Sequence, residues 1–203
     1  MSTTRSQRIG IWVIAVVLAI GTIGSFFVVI LANNNQANDQ ASAQKIYAEY
    51  QAKQQAQTDE LSTKYYATLA GFASNVAAYN ADEVTGLTTV DLKEGDGETI
   101  GDSTAYSAYY IGWNPEGKIF DQSIDGTKLK APIPTTSLIK GWMDGVKGMK
   151  LGGVRELTIP ADLAYGDQGS GDLIPPHTPI KFIVLAIPTP ETIPVPDFSK
   201  LSN

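Results

Sequence analysis

Leu138-Ile139-Lys140-Gly141-Trp142-Met143-Asp144-Gly145-Val146-Lys147 is the one short helical stretch in the C-terminal half of the chain. It is bounded by the glycines at 148, 152 and 153. Everything around it reads as strand or turn. Upstream, Ser103–Ile111 is rich in Tyr and Ala with strand-like character, Asn114-Pro115-Glu116-Gly117 is a turn, and Lys118–Asp121 continues as a strand. Downstream, Val154–Ile159 is a strand ended by Pro160, and Ile180–Ile187 is nearly all apolar, as in a strand buried on both faces. A lone helix among strands has to bury its apolar side against a sheet. The expected fold is therefore an antiparallel sheet curled over that helix, an α+β arrangement. All of the prolines and most of the glycines lie in this part of the chain, as turns between short strands require.

Outward from this domain toward the N-terminus, the texture changes twice. From Ala41 to about Tyr79 there is no proline, Ala, Gln, Lys and Glu are frequent, and Gly71 is the only glycine, which predicts a helix. Leu61, Tyr65, Leu69, Phe72, Val76 and Tyr79 recur at spacings of four and three, which puts them on one helical face. A spacer that packs on the domain or on itself is favoured over a dimerising coiled coil, because the periodic stretch is shorter than about three heptads. The monomer is accordingly the expected state. Asn33–Gln40 reads as a polar, flexible connection.

Ile9–Ala32 runs for 24 residues without a charge, and about 20 suffice to cross a bilayer core. Arg5 and Arg8 precede it, and no Lys or Arg follows until Lys45. The expectation is a single-pass anchor in the cell membrane, with a cytoplasmic N-terminus and an extracytoplasmic C-terminal domain. A cleaved signal peptide is the rival, but its apolar core is usually about 7–15 residues. The Ala41-Ser42-Ala43 site also lies far beyond the run.

Composition excludes several chemistries. The formal net charge is −6, which argues against nucleic acid, since that needs a basic footprint. There is no cysteine, hence no thiol catalysis or cysteine metal site. Gly112–Lys118 has phosphate-loop spacing, but Ile119 stands where Ser or Thr is needed and no helix follows. His177 is the single histidine, no Gly-x-Ser-x-Gly elbow occurs, and no metal is expected. His177 is read as structural, hydrogen-bonding within the Pro175-Pro176 turn. Asp91, Glu94, Asp96 and Glu98 lack a calcium-loop pattern and are read as a solvated turn. What remains is chemistry that needs neither nucleophile nor cofactor.

A series of short motifs then falls into one order. Tyr109-Tyr110-Ile111-Gly112 is followed by Gly117-Lys118-Ile119-Phe120-Asp121-Gln122-Ser123 and by Leu138-Ile139-Lys140-Gly141-Trp142. Gly148-Met149-Lys150-Leu151-Gly152, Arg155–Pro160, Ala164-Tyr165-Gly166 and Leu173-Ile174-Pro175-Pro176 complete it. In this order and spacing the stretch Gly86–Ile187 resembles the FKBP-type peptidyl-prolyl isomerases. The resemblance implies a half-open antiparallel β-sheet wrapped around one short α-helix, with a proline pocket between them. It places Trp142 at the pocket floor and Tyr110, Phe120, Ile139 and Phe182 in its walls, with Leu138, Tyr165, Leu173 and Ile174 at its rim. It further implies that the Ile139 N–H and the Tyr165 hydroxyl bind substrate carbonyls and that Asp121 lies near the twisting amide. Tyr110, Asp121, Ile139 and Tyr165 are thus the expected catalytic group. Phe120, Leu138, Trp142, Leu173, Ile174 and Phe182 are the expected substrate-binding group.

The implied activity is isomerisation of X-Pro bonds in exported proteins, with no cofactor and with rapamycin-type macrolides as inhibitors. A non-catalytic module that only holds Pro-containing chains is the alternative. Two departures from the family pattern, the ring-free stretch Leu129–Pro134 and the small tip Gly169–Asp172, predict a pocket wider on that side. The resulting layout is a cytoplasmic N-terminus (1–8), a transmembrane helix (9–32), a linker and spacer helix (33–85), the isomerase-like domain (86–187) and a Pro-rich tail (188–203).

Overall fold

The computed structural model describes residues 37–135 and 138–198. The expected membrane helix at 9–32 lies outside the described residues. Among those that are described, no helix is long and apolar enough to cross a membrane. Residues 56–192 form one compact unit, and the remaining described residues belong to a second.

Helix α1 spans Ala37–Ala70. It starts earlier than the sequence suggests, since Ala37–Gln40 is helical rather than a loose connection, and it stops earlier, just before Gly71. Beyond it, Ala73–Asn75 and Ala81–Glu83 are single 3-10 turns. The periodicity of Leu61–Tyr79 therefore reported burial along the whole segment but helix only as far as Ala70. Glycine is the weakest helix former after proline, and the tertiary contacts below hold the rest of the segment without helical bonds.

The strands are β1 (Thr88–Lys93), β2 (Tyr106–Trp113), β3 (Ile119–Gln122), β4 (Ile124–Asp125), β5 (Lys128–Leu129), β6 (Ile133–Pro134), β7 (Val154–Ile159) and β8 (Ile180–Pro188). Helix α2 is Lys140–Gly145. The main sheet has six strands in the order β1-β7-β8-β2-β3, with β6 also on β2, and every pairing is antiparallel. Strands β4 and β5 form a separate hairpin. The α+β expectation, a sheet around one short helix, is what the chain builds.

Side chains alternate across a strand, so β2, β7 and β8 feed two cores at once. On the inner face, Ala108, Leu157, Ile159, Ile180, Phe182 and Val184 pack with Trp142 and Val146 of α2. On the outer face, Tyr109, Ile111, Trp113, Ile183, Leu185 and Ile187 pack with Leu61, Tyr65, Leu69, Phe72, Val76 and Tyr79. The C-terminal part of the presumed spacer is thus a layer of the domain, which begins well before Gly86. Ser62 Oγ accepts the Leu129 N–H at 2.8 Å in this second layer.

Two further expectations are corrected. Asp91 lies in β1 and is not part of a solvated turn. Its carboxylate takes the Arg155 Nε at 2.6 Å and a terminal guanidinium nitrogen at 3.0 Å. Arg155 is buried and also donates to the carbonyls of Gly145 and Lys147, at the C-terminal end of α2. The guanidinium holds the Asp91 carboxyl below the usual carboxylate range, by hydrogen bonding first and charge second. Glu94 pairs with Lys150 at 2.7 Å. His177 is exposed; its N–H reaches across to the Gly166 carbonyl at 2.9 Å, and its Nδ1 lies 3.3 Å from an Asp167 oxygen.

Candidate active site

The inner face carries an aromatic box. Trp142 comes from the first turn of α2, Tyr110 from β2, Phe120 from β3 and Phe182 from β8. The Trp142 and Phe182 ring centroids are 5.0 Å apart at 69°, Phe120 and Phe182 5.5 Å at 87°, and Tyr110 and Trp142 5.7 Å at 81°. Edge-to-face contacts of this kind bring each ring's positive edge to its neighbour's negative face. Gly112 makes the meeting possible. A Cβ there would lie 2.5 Å from a Phe182 ring carbon and 2.7 Å from one of Phe120.

Trp142 and Phe182 are buried, whereas Tyr110, Phe120, Leu138, Ile139 and Tyr165 are half-buried against the same cluster as the buried Ile174. The fold brings these residues together on one cluster. Leu173 is the exception, exposed and outside the cluster. Ile133, which sequence reasoning missed, packs on this cluster beside β2. Leu129 instead turns onto the outer face, so the ring-free stretch contributes an isoleucine to the inner wall. The only sequence signal for this was the two-residue alternation of a very short strand.

The polar groups are few. The Tyr110 hydroxyl donates to Asp121 Oδ2, while Asp121 Oδ1 accepts the Gln122 N–H at 2.8 Å. Burial, then the Asp121 carboxylate, pushes the Tyr110 phenol well above its ordinary value. Tyr165 is raised in the same direction by burial and then by Asp121. Both phenols therefore remain O–H donors. Ile139 caps α2 with extended backbone, φ −62° and ψ 151°, and its carbonyl accepts from Trp142 and Met143. Among the described residues its own N–H has no hydrogen-bond partner. The Trp142 indole N–H is buried without a well-formed hydrogen bond. The Tyr106 phenol is raised by burial and partly relieved by Trp142 and Thr135. No cluster of groups able to hold a metal occurs among the described residues.

Four rings packed edge to face, with the Tyr110–Asp121 pair and the Ile139 N–H beside them, are what this part of the inner face offers. A family model for FKBP-type peptidyl-prolyl cis-trans isomerase matches residues 97–186. The FK506-binding protein of Neisseria meningitidis serogroup B is 41% identical over 100 residues, covering 49% of this chain and 92% of that protein. A probable FKBP-type 25 kDa peptidyl-prolyl cis-trans isomerase of Pseudomonas aeruginosa is 35% identical over 111 residues, 54% of this chain and 47% of that one. A solved peptidyl-prolyl cis-trans isomerase from Pseudomonas syringae is 32% identical, covers 58% of this chain and 87% of its own, and superposes with a TM-score of 0.44. The chain belongs to the FKBP-type peptidyl-prolyl cis-trans isomerase family, and its activity is that of an isomerase.

Proposed function

We propose that the pocket lined by Tyr110, Phe120, Trp142 and Phe182 takes the proline ring of exported polypeptides and speeds rotation about the preceding bond. The barrier is about 18–20 kcal/mol because amide resonance must be lost. No covalent bond breaks, so no nucleophile is needed. The planar amide is dipolar and well solvated. Moving it onto aromatic walls strips that water and raises the planar state relative to the twisted one. The Ile139 N–H and the Tyr165 hydroxyl bind the substrate carbonyls and hold the chain on either side of the bond. Asp121, kept in place by the Tyr110 hydroxyl, is the polar group beside the amide as it twists. Donors fixed before the substrate arrives favour the twisted state because they need no reorganisation.

The observation that carries this reading is the free Ile139 N–H at the lip of the aromatic box, a donor that the fold leaves for a ligand. The test is a proline-peptide exchange assay on the full chain in detergent micelles. Catalysis that falls at least about tenfold in Asp121→Ala is expected, the size of a lost polar contact to a charged group. A rate at background in the parent chain would end the reading. Relatives named FK506-binding proteins support binding of such macrolides here, with the Ile133 side of the pocket free of aromatic rings. The uncharged run at 9–32 supports a membrane anchor with the domain outside. Cleavage of the domain by protease added to intact cells is the expected result.

A further inference from the structure

We infer that Asn114 is a positioning residue that ties the segment Ala77–Tyr79 to the rim of the proline pocket. The inference rests on the site assignment above. Asn114 directly follows β2 and is only 5% exposed. Its side chain uses both ends. Oδ1 accepts the N–H groups of Glu116 at 3.2 Å and Lys118 at 2.9 Å, which closes the turn. Nδ2 donates to the Leu173 carbonyl at 3.0 Å, 59 residues away. Two donors facing one end and an acceptor facing the other fix the amide's orientation.

Leu173 precedes Ile174, which lines the pocket. The tip of that loop closes on itself through the Ser170 N–H to the Ile174 carbonyl at 2.7 Å. Among the described residues, the Asn114 amide supplies the hydrogen bond from the β2–β3 turn to this loop.

The same turn is gripped from its other side. The Tyr79 N–H donates to the Pro115 carbonyl at 2.9 Å, and the Trp113 indole donates to the Ala77 carbonyl at 3.0 Å. Gly117 has φ +78°, and a Cβ there would lie 2.9 Å from the Ala78 nitrogen, so the segment lies directly on the turn. The Tyr79 hydroxyl then donates to the Pro179 carbonyl at 2.9 Å, just ahead of β8. The rim loop is thus held at Leu173 through Asn114 and at Pro179 by Tyr79. A segment that lies outside the matched family region sets where the rim stands, and with it the fit of residues flanking the proline.

Asn114→Asp separates the two ends of the side chain. It keeps an oxygen for the turn N–H groups and turns the donor to Leu173 into a repelling carboxylate oxygen. With the full chain in micelles and a proline tetrapeptide as substrate, KM is expected to rise about five- to tenfold, the equivalent of one lost hydrogen bond, with kcat nearly unchanged. Lowering the pH until that carboxyl protonates restores a donor and should restore KM, whereas Asn114→Ala should show no such recovery. A parent-like KM in Asn114→Asp at neutral pH, or a loss that acid does not reverse, would overturn the inference. Should that variant fail to fold by circular dichroism, Tyr79→Phe decides. A KM raised about twofold, as expected for a weaker, half-exposed bond, supports the inference, and a parent-like KM refutes it. A parent chain without activity would instead remove the site assignment on which all of this stands.

Discussion

Tyr109 and Tyr110 are neighbours on one strand, and they show how differently the two faces of the sheet are used. Tyr109 turns outward under α1, where its ring is fully buried and its hydroxyl has no hydrogen-bond partner. Burial, then the nearby Tyr65, pushes that phenol up to about 12. Tyr110 turns inward, is half-buried, and spends its hydroxyl on Asp121. The outer face is closed by helix, turn and extended segment. The inner face is tied at one end by Arg155 to α2, and around the buried Trp142 it carries the half-buried Tyr110, Phe120, Leu138, Ile139 and Tyr165. Both are aromatic and apolar, so aromatic content does not distinguish site from core. What distinguishes the inner face is the Tyr110–Asp121 pair and the Ile139 N–H beside its rings.

The largest test of that contrast removes the cover. A fragment beginning at Gly86 lacks Leu61–Tyr79 and leaves Tyr109, Trp113, Ile183 and Ile187 facing water, so it is expected to aggregate on purification. A fragment from residue 56 to 192 should sediment as a folded monomer. Next is the closed end of the inner face. Asp91→Ala leaves the buried Arg155 charge with only the Gly145 and Lys147 carbonyls, and denaturant melts should show a loss of about 2 kcal/mol, reduced from the fully buried case by those bonds and because Asp91 is half exposed. The pH dependence follows from its lowered carboxyl pKa. The pair's contribution is complete above the unfolded carboxylate range and lost as pH falls through the folded value, so the parent's stability should decline in acid more steeply than the variant's.

A smaller pair of effects separates the two tyrosines. Tyr109→Phe deletes an unsatisfied buried hydroxyl and should hold or raise stability by up to about 1 kcal/mol, with kcat/KM unchanged. Tyr110→Phe frees Asp121 and should lower kcat/KM by about fivefold, with a similar melting point. The smallest expected effect is none. Because the Tyr110 and Tyr165 phenols are both raised above 10.0, kcat/KM should stay level as pH passes that value. A fall there in a chain that remains folded would show that one of them ionises early.

The β7–β8 framework and α2 were legible in the sequence because Val154–Ile159 stops at Pro160, Ile180–Ile187 is nearly all apolar, and glycines bound the one short helix. The resemblance supplied the pocket residues, since Tyr110, Phe120, Trp142 and Phe182 carry no mark that separates them from core. The end of α1 was not legible. Phe72, Val76 and Tyr79 keep helical spacing while the backbone leaves the helix, because periodicity records which side is buried and not which bonds the backbone makes. Strand β1 went unread because Thr88–Lys93 is mostly exposed and polar, an edge strand held by pairing and by one ion pair across to Arg155. Asn114 looked like an ordinary turn residue, since its partner Leu173 is distant in sequence.

The outer layer also sets a timetable. Leu61–Leu69 leaves the ribosome early, while β8, which completes the face it covers, is the last of the described strands to be made. The interval is on the order of a hundred residues, or roughly five to twenty seconds of synthesis. Throughout that time the strip of Leu61, Tyr65 and Leu69 has no sheet to lie on. The nascent chain must keep this strip from other partners until β8 emerges, so the step that seals the outer face must wait for nearly all of the domain to be synthesised.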